Sequence, residues 1–154
     1  MQHQSYLKDT PDFLRTVQKI NDGPNLSPKT VLAIFDAIGL YTNIKHDEGL
    51  TATENMLDKR RKNKNVPTSF ILKLMEILLT NNTFEFNETY WKQLVGAAVG
   101  CKPMPPYANI FMATIGDLIK NQKEAEALLL LKRFLDDYFT LFEGSTKDLH
   151  ALFF

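Results

Sequence analysis

The sequence predicts an α+β fold in which a small antiparallel sheet packs on helices. Two observations lead to this prediction: apolar residues recur at helical spacing in several segments, and short apolar runs that suit buried strands lie between them without a regular strand–helix–strand repeat. The 154 residues suit one domain with its own core. A content of 44% hydrophobic and 23% charged residues excludes disordered and collagen-like chains.

Charge and cysteine content narrow the possible functions. Lys and Arg number 18, as do Asp and Glu, so no large positive field points to nucleic acid. The single cysteine, Cys101, excludes an internal disulfide and a cysteine-based zinc site. His3, His46 and His150 lie too far apart in sequence to form a metal-binding pair. Since neither a signal peptide nor a membrane-spanning run is visible, we expect an intracellular protein, nuclear or cytoplasmic, without a membrane partner.

The first elements can be placed from their end signals. A helix begins at Thr10, a capping hydroxyl followed by proline and Asp12, and its apolar residues recur at helical spacing as far as Ile20. The next element is the short apolar run 31–35, which has no helical period. It ends in Asp36, as expected where a buried strand leaves the core.

Two further helices are predicted in the middle of the chain. One covers residues 47–62 and ends in the basic run 59–64, and the second begins after Pro67 with Thr68 as its cap. The residues of the second helix that we expect to face inward are Phe70, Ile71, Leu74, Ile77 and Leu78.

Alternating aromatic and polar residues at 83–86 and 89–91 predict a β-hairpin around the two-residue turn 87–88. A loop rich in Gly and Pro follows at 96–106, and the next helix begins at about Pro106.

A second hairpin is predicted over residues 128–142, since two hydrophobic arms surround an acidic pair. Both acids, Asp136 and Asp137, are expected at its tip. Ser145 is expected to cap a final partial helix.

Three features stand out as candidates for chemistry, and each has a plain structural alternative. Asp36 can simply form a turn at the end of a strand. Asp136 and Asp137 can likewise be ordinary turn residues of a hairpin, because aspartate tolerates turn conformations and solvent. The glycines Gly96 and Gly100 can serve close packing alone. Their order along the chain and their flanking residues favour a functional interpretation.

These segments resemble the polymerase motifs of reverse transcriptases. Residues 35–44 are similar to motif A, residues 93–100 together with 106–112 to motif B, and residues 134–137 to motif C, the aromatic-x-Asp-Asp box. The runs LYTNI, PPYANIFM and RFLDDYF are most similar to Penelope-like retroelements. Residues 5–10 also resemble the segment before motif A, so the resemblance covers nearly the whole chain.

The resemblance implies a polymerase palm and an RNA-directed DNA polymerase that transfers nucleotides with two Mg²⁺ ions, for which Mn²⁺ can substitute. Two ions about 3.5–4 Å apart stabilise the attacking and leaving oxygens together, and Mg²⁺ prefers carboxylate oxygens. Asp36 and Asp136 would bridge the ions. Asp137 would be a third ligand or a supporting charge.

The resemblance also implies four substrate-binding residues. Tyr41 would pack under the nucleotide sugar and exclude the 2′-hydroxyl, and its alternative is a core tyrosine. Gln93, Gly96 and Gly100 would place backbone against the incoming nucleotide and the template base, since glycine permits close approach. The implied partners are an RNA or DNA template with its primer and deoxynucleoside triphosphates.

Basic and aromatic residues outside the motifs can each be interpreted in two ways, as contacts to nucleic acid or as ordinary structural residues. The run 59–64, like Lys132 and Arg133, can contact phosphates or form a solvated surface. Tyr90 and Trp91 can stack on bases, although we expect them to pack within their hairpin. His46 is expected to be a surface residue.

Residues 1–154 are expected to be a single palm domain and a fragment of a longer polymerase, with incomplete fingers and no thumb. The isolated chain is therefore expected to be inactive. Substitutions within the motifs, such as Lys45 for the expected proline, indicate a divergent copy but remove no metal ligand. The alternative functions are a non-catalytic relic that acts as a binding or structural module, and a palm polymerase that makes RNA.

Overall fold

The structure is a computed structural model, and it describes residues 5–61 and 65–153. His3 and the end of the basic run, residues 62–64, lie outside the described residues. The chain forms two compact units: the helical unit, residues 38–112, and the sheet unit, which joins residues 5–37 to residues 113–153. Helices and a small antiparallel sheet are both present, so the predicted α+β class is confirmed.

The elements follow one another along the chain as a mixture of helices and antiparallel strands. They are α1 (Thr10–Asn21), β1 (Thr30–Asp36), α2 (Leu40–Asn43), α3 (His46–Asp58), α4 (Thr68–Thr80), β2 (Thr83–Phe86), β3 (Thr89–Lys92), α5 (Met104–Lys120), a 3₁₀ helix (Lys123–Ala127), β4 (Leu128–Phe134), β5 (Asp137–Glu143) and α6 (Thr146–Phe153). The predicted elements are observed in their predicted order, with α5 beginning two residues before the expected Pro106, whereas α2 and the 3₁₀ helix were not predicted. None of the helices in the described part of the chain is long and apolar enough to cross a membrane.

The sheet unit is built on three antiparallel strands in the order β1-β5-β4. Because side chains alternate between the faces of a strand, each face of the sheet has its own set. On one face, the ring of Phe153 in α6 stacks on Phe35 at 3.8 Å between centroids and meets Tyr138 edge-on at 6.1 Å. On the other face, Phe13 of α1 contacts Phe139 edge-on at 5.1 Å. Helices thus pack on both faces of the sheet.

The cap of α1 differs by one residue from the prediction. Asp9, not Thr10, is the N-cap, and its Oδ1 accepts a hydrogen bond from the backbone amide of Asp12 at 2.9 Å. Thr10 is the first helical residue. An aspartate one position earlier reaches the same free amide and adds a favourable charge at the positive end of the helix.

The helical unit has a buried core drawn from several elements, namely Ile44, Met75, Leu79, Ala97, Met104, Tyr107 and Ala108. Helix α4 faces this core through Met75 and Leu79, with Ile71 packed against it. Of the predicted inward residues only Ile71 was right. The others are exposed, namely Phe70, Leu74, Ile77 and Leu78. Since α4 is apolar nearly all round, periodicity could not choose its buried face, and tertiary packing chose it.

Two predictions about helix ends also need correction. Helix α3 ends at Asp58, so residues 59–61 follow the helix instead of forming its last turn. Helix α4 has Pro67 as its N-cap and no side-chain cap. Thr68 is its first residue, and its hydroxyl donates to Oδ1 of Asp58 at 3.1 Å, which joins the start of α4 to the end of α3.

The hairpin β2–β3 is present as predicted, but its aromatic residues do not pack inward. Asn87 and Glu88 both have positive φ, 51° and 57°, as a two-residue hairpin turn requires. Every residue of both strands is exposed. Tyr90 is 76% and Trp91 is 52% exposed, so the expectation that they pack in a hairpin core is wrong. Four-residue strands without a covering element cannot enclose aromatic rings.

Candidate active site

Three acids come together at one end of the three-stranded sheet. Asp36, the last residue of β1, pairs with Asp137, the first residue of β5, in the antiparallel register. Residues opposite each other in such a ladder have Cα atoms about 4.5–5.5 Å apart. Asp136 precedes Asp137, and its carbonyl accepts a hydrogen bond from the amide of Ala37 at 3.3 Å. The structure thus brings together the three acids that the sequence singled out.

We expected Asp136 and Asp137 to share the tip of the second hairpin, and this prediction is wrong. Phe134 pairs with Asp137, so the turn consists of Leu135 and Asp136, and Asp137 already belongs to β5. Leu135 has φ of 53°, in the left-handed region. This conformation costs a residue with a Cβ about 1–2 kcal/mol. Nη1 of Arg133 donates to the carbonyl of Leu135, a contact that holds the turn from β4.

The acid cluster of Asp36, Asp136 and Asp137 concentrates negative charge at this end of the sheet. Loss of hydration raises the pKa of the Asp137 carboxyl above its usual value, and the negative charges of Asp136 and Asp36 raise it further. A negative charge nearby opposes the ionisation of the Asp137 carboxyl. A cation between the carboxylates would offset that repulsion.

An apolar cavity of about 270 Å³ opens beside Asp137. It is lined by Leu7, Asp9, Thr10, Phe13, Ile34, Phe134, Asp137 and Phe139. Asp137 thus borders an apolar cavity while its residue stays exposed to solvent.

The donors suit magnesium, although the side chains are not arranged around an ion. Carboxylate oxygens are the ligands that Mg²⁺ and Mn²⁺ prefer. In residues 5–61 and 65–153, no three Asp, Glu, His or Cys side chains form a group that could hold a metal ion as they stand. The backbone therefore places suitable donors together, and the carboxylates would have to rotate to share an ion.

The four predicted substrate residues belong to the helical unit, where two of them are in direct contact. The amide of Ala97, next to Gly96, donates to the carbonyl of Tyr41 at 2.6 Å. A Cβ on Gly96 would lie 2.6 Å from the carbonyl oxygens of Tyr41 and Thr42, and Gly96 has φ of 83°. Only glycine permits this approach. Tyr41 also packs against the core of the unit, so its core role is present, and its role as a sugar gate stays a prediction.

Gln93 and Gly100 have different surroundings. The side-chain amide of Gln93 donates to the carbonyl of Val95 at 2.9 Å, and its backbone amide donates to Asn82 at 2.9 Å, which ties the loop to the start of β2. Gly100 has φ of 97°, and a Cβ added to it would meet no atom within 4 Å. Glycine is needed at position 100 for the backbone conformation and not for close packing.

Two residues near these groups have roles that the sequence did not reveal. Nε2 of His46 lies 2.8 Å from the carbonyl oxygen of Gly96, so this half-buried side chain holds the glycine loop and is not merely a surface residue. Because a carbonyl only accepts, Nε2 carries the proton. Arg133 is only 2% exposed, so it is not the solvated or phosphate-facing residue we expected. Its inward position follows from strand alternation with Leu131, a pattern that could have revealed it.

Comparison with known proteins gives a fold and no closer relationship. No protein family and no curated protein matches the sequence. Among solved structures, apo telomerase from Candida tropicalis, truncated from its C-terminal domain, matches with a TM-score of 0.73 and 16% identity over 97% of this chain and 32% of that chain. Telomerase from Candida albicans, in complex with a TWJ fragment of telomeric RNA, matches with a TM-score of 0.72 and 10% identity over 97% of this chain and 28% of that chain.

The fold is similar to part of telomerase. This chain spans about a third of the length of those telomerase chains.

Proposed function

We propose that this chain is the palm core of an RNA-directed DNA polymerase of a Penelope-like retroelement. The observation that carries the proposal is the pairing of Asp36 with Asp137 in the register of β1 and β5, with Asp136 in the adjoining turn. Strand pairing across a rigid sheet is how carboxylates distant in sequence come close enough to share metal ions.

The fold similarity supports the proposal at a coarser level. Telomerases match over nearly the whole of this chain, and one of them was determined with telomeric RNA. An RNA template is therefore a reasonable partner for this chain, together with a primer and deoxynucleoside triphosphates. The order of the three motif-like segments along the chain is a second, independent support.

In the proposed reaction each group has a distinct task. Asp36 and Asp136 would hold Mg²⁺ or Mn²⁺, and Asp137 would add a third carboxylate or a supporting charge. When bound, the ions would activate the primer hydroxyl and stabilise the leaving pyrophosphate. Tyr41 would contact the nucleotide sugar, and the loop held by Gly96 would present backbone to the incoming nucleotide.

The buried contacts around the loop support its positioning task. Gly96 and Ala97 are both buried and are held by the carbonyl of Tyr41 and by His46. A loop held in this way keeps its backbone groups oriented, which lowers the cost of binding a substrate. Gln93 and Gly100 flank this held segment.

We expect the isolated chain to have little or no polymerase activity, since it spans about a third of the matched telomerase chains. Two measurements test the proposal. Electron paramagnetic resonance measures Mn²⁺ binding, and a primer-extension assay in Mg²⁺ or Mn²⁺ measures polymerase activity. Asp136→Ala is compared with the wild type, and Asp22→Asn, an exposed acid of the same unit, is the matched control.

We expect Asp136→Ala to abolish Mn²⁺ binding and Asp22→Asn to leave it unchanged. Binding or activity that survives Asp136→Ala would contradict the metal assignment. Robust extension by the wild type would contradict the expectation that the isolated chain has little or no activity.

The second candidate is a non-catalytic, palm-derived binding or structural module. It is favoured by one observation, the lack of a preformed three-ligand group among the described residues. The two candidates differ in their response to metal, because a cation that binds only the folded state raises the melting temperature. If neither Mg²⁺ nor Mn²⁺ at millimolar concentration shifts the melting temperature, the metal-dependent proposal is contradicted and the non-catalytic candidate is favoured.

A further inference from the structure

Arg133 is a buried charge in the strand that leads to the acid cluster. It is 2% exposed and lies opposite Tyr138 in the register of β4 and β5, on the face covered by α6. Asp36 and Asp137 belong to the opposite face by strand alternation. Removing a guanidinium from water is costly unless its contacts compensate. The contacts that compensate the burial of Arg133 therefore indicate its role in the structure.

The contacts of Arg133 reach in two directions. Its backbone amide donates to the carbonyl of Ser5 at 2.6 Å, and its carbonyl accepts from the amide of Leu7 at 2.7 Å. Its guanidinium lies 5.6 Å from the centroid of the Tyr6 ring, within the range of a cation–π interaction. Toward the hairpin tip, Nη1 donates to the carbonyl of Leu135. Arg133 thus connects the 5–7 segment to the turn that carries Asp136.

The turn needs such support because of the residue at its first position. Leu135 has φ of 53°, which a leucine adopts only against steric resistance. Asp136 follows directly, and its carbonyl is bonded to the amide of Ala37, beside Asp36. A change in the backbone of Leu135 would therefore move Asp136 relative to Asp36.

We propose that Arg133 is a positioning residue for the acid cluster, which keeps Leu135 in its left-handed conformation and so holds Asp136 beside Asp36. Arg133 contacts no substrate and acts through the turn. The consequence for metal binding rests on the proposed function. The consequence for the turn itself does not.

The first experiment measures the turn in the metal-free chain, by amide hydrogen exchange at Ala37. In Arg133→Met, which keeps the apolar stem and loses the guanidinium, we expect exchange at Ala37 to be at least tenfold faster. The amide of Ala97, in the helical unit, is the internal control and is expected to be unchanged. Unchanged exchange at Ala37 in a folded Arg133→Met protein overturns the proposal.

A double variant separates the turn from general stability. In Arg133→Met/Leu135→Gly, glycine adopts the left-handed conformation without a steric cost, so we expect slow exchange at Ala37 to return. A merely structural Arg133 would not be rescued by a change in the turn, and lack of rescue overturns the proposal. If Arg133→Met does not fold, Arg133→Leu, which also lacks the side-chain donor, is used with the same two criteria.

The second experiment measures the Mn²⁺ dissociation constant by electron paramagnetic resonance in the same variants. We expect Arg133→Met to weaken binding at least tenfold and the double variant to recover most of that loss. Wild-type affinity in Arg133→Met, even with a lowered melting temperature, overturns the positioning role. If the wild type itself binds no Mn²⁺, the proposed polymerase function fails, and the exchange at Ala37 alone decides the role of Arg133.

Discussion

The two hairpins of this protein are alike in local design and opposite in their surroundings. Both turn in two residues, and both place a non-glycine residue at positive φ. In β2–β3 all eight strand residues are exposed, whereas β5 is the central strand of a sheet with both faces covered by helices. Local turn chemistry thus specifies a hairpin, and neighbouring elements specify whether it builds a core or a surface.

The turns themselves show the same difference. Asn87 tolerates the left-handed region because its short polar side chain can bond locally. Leu135 has no such compensation and depends on the bond from Arg133. Glu88 also has positive φ, 57°, so the exposed turn bears a similar steric cost at one residue, and the buried turn differs by the hydrogen bond that Arg133 donates to it.

The largest expected effect compares the same substitution in both hairpins. Phe142→Ala in β5, where the ring is 2% exposed, should lower the free energy of unfolding by about 3–5 kcal/mol. Phe86→Ala in β2, where the ring is 69% exposed, should change it by less than about 0.5 kcal/mol. Urea unfolding followed by circular dichroism measures both. Equal losses would show that the aromatic face of β2–β3 is covered in solution.

The next effect concerns the glycine loop that follows the exposed hairpin. Gly96→Ala should cost about 2–4 kcal/mol, since it combines backbone strain with an overlap against Tyr41 and Thr42. Gly100→Ala is the matched control. It meets open space, so it should cost only the strain of about 1–2 kcal/mol. Melting temperatures of the two variants measure the difference, and a Gly96→Ala protein no less stable than Gly100→Ala would contradict the close packing.

The smallest effect is a pH dependence at the tip of the buried hairpin. The folded-state pKa of Asp137 is raised, so the protonated form is favoured by folding. Its contribution to stability is present below the ordinary carboxyl pKa and is lost as pH rises through the raised value. We therefore expect Asp137→Asn to stabilise the metal-free chain slightly at neutral pH. Melting curves of the wild type and Asp137→Asn, recorded with a chelator present between about pH 3 and 7, where carboxyl groups titrate, measure the difference in stability.

Asp148 provides a control of opposite sign. Hydrogen bonds from Ser145 hold the pKa of Asp148 below its usual value, so its contribution is present at neutral pH and is lost as pH falls. Asp148→Asn should therefore destabilise the chain at neutral pH. If Asp137→Asn also destabilises the chain at neutral pH, the Asp137 carboxyl does not carry the cost of lost hydration and nearby negative charge described above.

Much of the fold could be predicted from local patterns. Both hairpins and the strand before Asp36 follow from alternation and short apolar runs, and α1 follows from its proline and acidic first turn. The pairing of Asp36 with the second acidic segment was expected from motif order. What local patterns could not supply was the buried face of α4, because a helix with apolar residues on every side offers no preferred direction.

The candidate site shows the same division. Asp36, Asp136 and Asp137 were singled out by their order along the chain and by the resemblance of their flanking residues to motifs A and C, since each acid taken alone is equally typical of a turn. Arg133 was placed outside because charged residues are rarely buried, and only its partners make burial tolerable. The bond from His46 to Gly96 joins residues fifty positions apart, and no spacing rule could reveal it.

The sequence by itself determined where helices, strands and turns form and which acids end the strands, because those depend on near neighbours along the chain. Only the tertiary structure decided which hairpin is buried, which face of α4 packs, and which segments Arg133 and His46 each hold. Those outcomes depend on burial and hydrogen bonding between distant segments. Burying a charged side chain or exposing an apolar one costs free energy unless the folded chain supplies suitable partners, and those partners come from distant segments.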